Sequence, residues 1–581
     1  MKKTISHALW AFTLASFTVS ACGKNDPAKT ASNENTGAHI QAQPTTESEE
    51  LVKAGPEGTT RNDSVETADE AMAMDGEAPA MPASTEMAKP SKAYAAKPKV
   101  AIGGMSAPRP MPMSPPPPPK DRDIGQGSED YKDYGKNPMV STAEDHLSTF
   151  AVDVDTASYA IARRKLMSGQ LPPQSAVRVE EFVNYFKYDF EGPATNDAPF
   201  AVHMDMAPSP FSKERKLLRV GVQAKKLSLR ERKNANLVFL VDVSGSMQSA
   251  DKLELAKRAL RILVDNLKDG DTVSLVTYAG STRVVLPPTG LEKKGEIISA
   301  LEDLRAGGST AMASGMELAY GLAAQTLGPN SLSRVIVLSD GDANIGNTSH
   351  DTMLKSIAGK VKEGVTLSTI GFGMGNYKDT LMEQLANKGN GNYFYIDGMN
   401  QARRVFQEQL GGTLEVVAKD VKIQVDFDPD VVKRYRLIGY ENRNVADKDF
   451  RNDKVDAGEI GAGHTVTAMY EVELTREDAV PVTVHLRAKT PKGTKAKETA
   501  YAFSPKQNFA TFAAAPQDFQ FASAVMGAAE ILRGSEHAAQ WSLEDVISIA
   551  KAAGDAHESE RSEFISLMER ARELRSTLAR R

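Results

Sequence analysis

Continuous apolar runs alternate with amphipathic segments through the centre of the chain. Residues 237–241 read Leu-Val-Phe-Leu-Val, which is typical of a strand buried on both faces of a sheet. Helical periodicity follows over 252–267, and the same alternation continues to a last helix over 400–410. Strands that alternate with helices predict a doubly wound, mostly parallel α/β sheet with helices on both faces. Ligands of such sheets bind beyond the carboxyl ends of the strands.

Alternation of apolar and polar residues with a period of two predicts strands on both sides of this α/β region. The alternating segments are 200–206 and 217–223 before it, and 421–427, 433–438, 466–474 and 482–488 after it. The simplest architecture for this order is one β-sandwich into which the α/β domain is inserted. Helical spacing further predicts helices over about 156–167 and 177–186, and a helical end over 517–578. Asp155 or Thr156 is the expected N-cap of the first of these helices.

The amino terminus has the pattern of an export signal. Lys2 and Lys3 precede an apolar stretch over 8–19, which is too short to span a bilayer comfortably. Ser20, Ala21 and Cys22 follow this stretch. Cys22 is the single cysteine of the chain, so intrachain disulfides and cysteine-based zinc sites are excluded. Val-Ser-Ala-Cys resembles the lipobox of bacterial lipoproteins, in which the cysteine receives lipid. An ordinary signal peptide with a chance cysteine is the alternative.

Residues 23–137 have a different composition from the rest of the chain. They are rich in Ala, Pro, Ser, Thr, Glu and Lys, and they include five consecutive prolines from Pro115 to Pro119. Such a segment cannot bury enough apolar surface to offset its ordering entropy, and its prolines favour an extended chain. We therefore expect a disordered tether, with a docking site for a proline-recognition domain as the alternative.

Charge and hydropathy exclude two broad classes. The 581 residues carry a formal net charge of −6, which argues against a dedicated nucleic-acid-binding protein. A mean hydropathy of −0.37 argues against a polytopic membrane protein.

Three polar segments fall at the carboxyl edge of the predicted α/β sheet. Asp242-x-Ser244-x-Ser246 follows the first strand, a Gly-Gly-Ser loop leads to Thr310, and Asp340 follows the strand over 334–338. These five side chains offer only hard oxygen atoms, which suit Mg²⁺ or Mn²⁺. Two carboxylates nearly neutralise a divalent ion, and the neutral hydroxyls leave it electrophilic enough to accept a carboxylate from another molecule.

The same residues resemble the metal-ion-dependent adhesion site of von Willebrand factor type A (VWA) domains. All five signature positions are present, over a resemblance that covers about 235–412. The segments 148–159, 171–181, 339–344 and 461–466 further resemble the bacterial YfbK-like VWA lipoproteins. The resemblance implies little function beyond an exported, metal-containing binding module, and we expect no enzymatic activity.

The sequence therefore predicts a membrane-anchored protein of the cell envelope that binds an exposed carboxylate of a protein partner through its metal. Cys22 is the expected lipidation site, and Gly23 after it favours the outer membrane of a Gram-negative bacterium. The expected parts are a signal peptide with lipobox (1–22), a tether (23–137), an N-terminal family-specific module (138–195), a β-sandwich in two parts (196–234 and 413–510), a VWA domain (235–412) and a C-terminal helical region (511–581).

Three alternatives remain at this point. The five oxygens could cap helices and turns without a metal, and Asp342 could be a turn residue or a hydrogen-bond acceptor behind the ligands. A metal-dependent hydrolase is a second possibility, although the sequence has no HExxH, GxSxG or P-loop motif. The third is a scaffold or assembly factor in which the metal only stiffens the loops.

Overall fold

The computed structural model describes residues 129–152, 154–195, 198–228, 230–309, 311–328, 330–341, 350–409, 414–554 and 558–580. The segments predicted as signal peptide and tether, up to residue 128, lie outside these ranges, and so does Cys22. Within the described part of the chain, no helix combines the length and the apolar character needed to cross a bilayer.

The described strands and helices follow one another in this order: β1 Val140–Ser141, β2 Leu147–Ala151, α1 Ala157–Met167, α2 Val179–Tyr185, β3 Phe200–Pro208, β4 Lys216–Ala224, β5 Asn234–Asp242, α3 Leu253–Asp265, β6 Thr272–Tyr278, β7 Thr282–Gly290, α4 Lys294–Glu302, α5 Met312–Gln325, β8 Ser331–Ser339, α6 His350–Lys362, β9 Val365–Phe372, α7 Asp379–Lys388, β10 Tyr393–Ile396, α8 Met399–Arg403, β11 Val416–Phe427, β12 Val432–Ile438, β13 Gly458–Gly461, β14 Thr465–Leu474, β15 Val482–Lys489, β16 Ala496–Ala502, α9 Gln517–Leu532, α10 Leu543–Ala552 and α11 Glu558–Ala579.

The central sheet has the strand order β10-β9-β8-β5-β6-β7, parallel except for the antiparallel edge strand β7. Alternate residues of β5 enter two different apolar cores: Leu237 and Phe239 pack into one, and Val238 and Leu240 into the other. The unbroken apolar run is thus explained, because both faces of the strand are covered. The predicted doubly wound α/β fold is confirmed.

Two further sheets form the predicted sandwich. One has the order β1-β12-β14-β4-β3, and the other has β13-β11-β15-β16 with β2 paired to β11. Side chains from both sheets share one core, which includes Val220, Val425 and Tyr470. The chain leaves the sandwich after β4 and returns at β11, so the α/β domain is an insertion between two sandwich strands.

The two ends of the insertion are joined by side-chain and backbone contacts. The Nζ atom of Lys233 lies 2.7 Å from Oε1 of Glu415, and the backbone N–H of Lys233 donates to Oε2 of the same carboxylate at 3.0 Å. Lys233 directly precedes β5, and Glu415 directly precedes β11. The insertion therefore begins and ends at one place on the sandwich.

Residues 138–195 are divided between two other parts of the fold. Strand β2 completes a sandwich sheet by pairing with β11, about 270 positions later in the chain. Helices α1 and α2 pack with α9, α10 and α11 in one apolar core. The structure thus differs from the sequence prediction of a separate N-terminal module.

The predicted tether also ends before residue 137, because Asp130 pairs with Lys378 and Asn137 donates to backbone carbonyls near β12.

The expected cap of α1 is also different in the structure. Thr156 occupies the N-cap position but forms no capping hydrogen bond through its side chain. The carboxylate of Asp155 instead accepts from the backbone N–H of Tyr393 at 2.8 Å. Glu181 on α2 accepts from the N–H of Ser158 at 2.8 Å, so a helix packed alongside satisfies the first turn of α1.

A fully buried ion network joins the sandwich to the C-terminal helices. Arg436 on β12 donates to Glu471 on β14 at 2.7 Å and to Glu530 on α9 at 3.1 Å, and all three side chains are 0% exposed. Glu530 also pairs with Arg533. Burial raises the pKa of Glu530, but Arg533 and Arg436 outweigh it and keep that pKa below its ordinary value.

A second buried network joins the helical region to the inserted domain. Arg178, just before α2, pairs with Glu181 and donates to Oδ2 of Asp379 at 2.6 Å. The hydroxyl of Tyr393 donates to the other oxygen of Asp379 at 2.5 Å. Since Glu181 and Asp379 are each only 1% exposed, Arg178 is the cation that neutralises two buried carboxylates.

Glu459 at the start of β13 makes the stability of the fold sensitive to pH. Its Oε1 accepts from Nδ2 of Asn390 in the inserted domain at 2.6 Å. Burial, together with the charges of Asp456 and Asp420, raises the pKa of Glu459 to about 8. The folded state therefore holds a proton that the unfolded chain releases near pH 4.5.

We expect Glu459→Gln to reduce the loss of stability between about pH 5 and pH 8. In the parent chain this carboxyl group stabilises the fold fully below its unfolded pKa, and the contribution is lost as pH rises towards 8. The amide cannot ionise and retains an acceptor for Asn390, so the variant should be more stable by at least about 1 kcal/mol at pH 8. Urea unfolding at both pH values measures this, and an unchanged pH dependence in the variant would contradict it.

Candidate metal centre

The carboxyl ends of two adjacent parallel strands bring Asp242 and Asp340 to one edge of the central sheet. Strand β5 ends at Asp242, and Asp340 directly follows β8, which pairs with β5 in parallel register from Asn234 to Val241. Both carboxylates are 0% exposed. The sheet topology therefore places two residues that are 98 positions apart in the sequence at the same edge.

The loop after β5 folds back onto the first carboxylate. The backbone N–H of Ser244 donates to Oδ1 of Asp242 at 2.9 Å, and the hydroxyl of Ser339 donates to Oδ2 at 2.9 Å. The Oγ atoms of Ser244 and Ser246 lie 3.0 Å apart. These contacts keep three of the predicted ligands, Asp242, Ser244 and Ser246, within one tight turn.

The glycine loop is fixed against this turn by backbone hydrogen bonds. The N–H of Gly245 donates to the carbonyl of Gly308 at 3.0 Å, and the N–H of Gly307 donates to the carbonyl of Val243 at 2.7 Å. Gly308 has a φ of +88°, and a Cβ there would lie 3.1 Å from the backbone N of Gly280. Glycine is thus required at 308 by both the backbone conformation and the close approach.

Thr310 and Asp342 lie outside the described residues. The structure thus brings Asp242, Ser244, Ser246 and Asp340 to one edge, and the loop that leads to Thr310 reaches the same edge. The role of Thr310 as a ligand stays a prediction.

Electrostatics at this edge favour a cation. Burial raises the pKa of Asp242, the nearby charge of Asp340 adds to this, and hydrogen bonds from Ser244 and Ser339 oppose it. Two carboxylates removed from water need positive charge close by. The described residues include no group of three or more His, Cys, Asp or Glu side chains able to hold a metal, and the predicted set contains only two carboxylates.

The donor set fits a hard divalent cation. Carboxylate and hydroxyl oxygens are the ligands that Mg²⁺ and Mn²⁺ prefer. The hydroxyl of Tyr278, at the end of β6, is buried close to Asp242, and the charge of Asp242 adds to burial in raising the pKa of this tyrosine. A bound cation would supply charge neutralisation and an electrophilic coordination position, and Asp242 and Asp340 would hold it.

Two neighbours of the site were not predicted from the sequence. Nζ of Lys252 donates to Oδ2 of Asp340 at 2.9 Å, and Nδ2 of Asn376 donates to the same oxygen at 3.2 Å. Lys252 precedes α3, and Asn376 lies in the loop after β9. Asn376 could have been recognised from the sequence, because it is a polar residue shortly after the carboxyl end of strand β9. A charged residue at a helix start is too common to have identified Lys252.

Comparison with known proteins identifies the class of this fold. A model of the von Willebrand factor type A domain matches residues 236–408, and a model described as von Willebrand factor matches 125–219. This is therefore a VWA-domain protein, and VWA domains are commonly protein-interaction domains that often depend on a metal ion.

A third model, "Uncharacterized protein YfbK, C-terminal", matches 412–574. The chain is 38% identical to "Uncharacterized protein YfbK" of Escherichia coli K12 over 472 residues, or 77% of this chain and 81% of the relative. It belongs to the YfbK family of VWA-domain proteins.

More distant relatives share mainly part of the chain. "Uncharacterized protein sll0103" of Synechocystis is 29% identical over 33% of this chain and 44% of its own length. Inter-alpha-trypsin inhibitor heavy chain H3 of Mesocricetus auratus is 25% identical over 42% of this chain, which spans 29% of that protein. A solved structure described as a von Willebrand factor type A protein from Catenulispora acidiphila has a TM-score of 0.39 and 17% identity, covering 64% of this chain and 89% of its own.

Proposed function

We propose that this protein is a membrane-anchored binding protein of the cell envelope. A divalent cation at Asp242, Ser244, Ser246, Thr310 and Asp340 binds an acidic group of a protein partner. The protein is not an enzyme. The lipid on Cys22 attaches the folded body to a membrane, which in a Gram-negative cell is the outer membrane.

The observation that carries this proposal is the convergence of hard oxygen donors on one partly open edge. Asp242 and Asp340 are fully buried, whereas Ser246 is half-buried and Gly245 between the serines is exposed. The polar turn thus has two buried carboxylates on one side and faces solvent on the other. A cation bound to these carboxylates would present a free coordination position towards solvent, where a partner's carboxylate can reach it.

Metal binding should be visible in the stability of the folded protein. Mg²⁺ that binds only the native state raises its stability by about 2.7 kcal/mol at a concentration of 100 times the Kd. We expect Asp242→Ala to abolish this rise in Tm, because one of two anionic ligands is lost. Asp265→Ala removes an exposed carboxylate elsewhere and should keep the full Mg²⁺ effect. A rise in Tm that persists in Asp242→Ala would contradict the site.

Partner binding is tested by affinity capture from membranes in Mg²⁺, followed by elution with EDTA. We expect a partner that elutes with chelator and is absent when Asp242→Ala is the bait. Cys22→Ala should lose membrane attachment but still capture the partner. Capture that ignores EDTA would indicate a scaffold with a structural metal, and turnover of generic phosphate or ester substrates that Asp242→Ala abolishes would indicate a hydrolase.

A further inference from the structure

A lysine is built into the candidate metal centre. The side chain of Lys252 is 9% exposed, and its Nζ lies 2.9 Å from both Oδ2 of Asp340 and Oδ1 of Asn376. The ammonium group thus contacts one of the two buried carboxylates directly. The same oxygen, Oδ2 of Asp340, also accepts a hydrogen bond from Nδ2 of Asn376 at 3.2 Å.

Lys252 is an unusual residue for the start of a helix. Lys252 is the N-cap residue of α3, where the helix dipole disfavours positive charge and where its side chain makes no capping hydrogen bond. Its aliphatic part packs over Gly373, where a Cβ would lie 2.3 Å from Cε of the lysine. Gly373, which has a φ of +76°, therefore leaves the space through which the lysine side chain reaches Asp340.

Parts of the chain outside the inserted domain hold the two segments that carry this contact. Arg164 on α1 pairs with Asp251, the residue before Lys252. Glu129 accepts from the N–H of Gly375 at 2.8 Å, next to Asn376. The two segments that carry Lys252 and Asn376 are thus each held by a residue outside the inserted domain.

We propose that Lys252 is a built-in cation that lowers the affinity of the Asp242–Asp340 site for divalent metal and increases the positive charge of the loaded site. The inference rests on the proposed function. Among the described residues of the site, two carboxylates and one ammonium leave a net charge of −1, so a bound divalent cation brings this group to +1 instead of neutral. Because the two cations share Asp340, they repel each other, and the surplus charge favours an anionic partner.

Removal of the charge should strengthen metal binding. We expect Lys252→Met to bind Mg²⁺ alone, and Mn²⁺ alone, at least tenfold more tightly in isothermal titration calorimetry. Lys252→Arg retains the charge and should bind either ion as the parent protein does. Lys360→Met is the matched control, since Lys360 lies at the far end of α6 and pairs with Glu363. An affinity of Lys252→Met equal to or weaker than that of the parent would overturn the proposal.

Thermal unfolding separates this role from a purely structural one. We expect Lys252→Met to have a lower Tm in EDTA and a larger Mg²⁺-induced rise than the parent, whereas lost packing would lower both temperatures equally and overturn the inference. Lys252→Gln keeps a polar contact with Asn376 and replaces the methionine variant if that variant does not fold. Absence of metal binding by the parent, or binding that persists in Asp242→Ala, would refute the proposed function as well. Binding by the parent with no change in Lys252→Met would refute only the role of the lysine.

Discussion

Arg436→Ala should destabilise the protein by about 3–5 kcal/mol. The substitution leaves Glu471 without its closest cation and takes one of two arginine partners from Glu530, and both carboxylates are 0% exposed. Removing one member of a buried ion network costs far more than breaking a surface pair, because the remaining charge cannot reach water. The free energy of unfolding from urea denaturation measures the loss.

The same strand offers a matched control. Arg434, two residues earlier, pairs with Glu473, but its own side chain is 44% exposed. Arg434→Ala should therefore change the free energy of unfolding by about 1 kcal/mol or less. Equal effects of the two substitutions would show that burial of the Arg436 network does not contribute as argued.

Arg178→Ala should lower the free energy of unfolding by a similar amount, about 3–5 kcal/mol, at the interface between α2 and the inserted domain. Glu181 and Asp379 lose their shared cation, and the contact between α2 and the inserted domain is weakened. Uncompensated buried carboxylates take up protons more readily, so the deficit should shrink as pH falls from about 7 to about 5. Urea unfolding at both pH values measures this.

Arg261→Ala is the control for this variant, because Arg261 and Glu302 form an ion pair in which both side chains are more than half exposed. It should have little effect at either pH. A deficit in Arg178→Ala that is independent of pH would mean that the loss comes from packing and not from stranded charge.

The central fold and much of the site were predictable because both follow from strand patterns. The run over 237–241 identified a strand covered on both faces, and strand order then placed Asp242 and Asp340 at one edge. The pairing of β2 with β11 was not predictable, because alternation identifies a strand but not its partner. Lys252 was missed for a related reason: its contact with Asp340 depends on the path of a side chain over Gly373.

The cap of α1 shows how tertiary contacts override local signals. Asp155 and Thr156 have the residue types that favour an N-cap, yet Asp155 is used to hold β10 through Tyr393. Glu181 satisfies the N–H of Ser158 instead, and a glutamate on another helix cannot be recognised as a cap from sequence spacing. Cys22 and Thr310 stay predictions from the sequence alone.

The contact between Lys233 and Glu415 has a consequence for how such a protein can change over time. Because entry and exit of the α/β domain are adjacent on the sandwich, a different domain could be inserted by rejoining two neighbouring chain ends, provided that it also supplies partners for buried groups such as Arg178. The sandwich and its helices can thus serve as a constant support for different inserted domains that keep these contacts. The exposed loops of the inserted domain can then diversify while the sandwich keeps its own core.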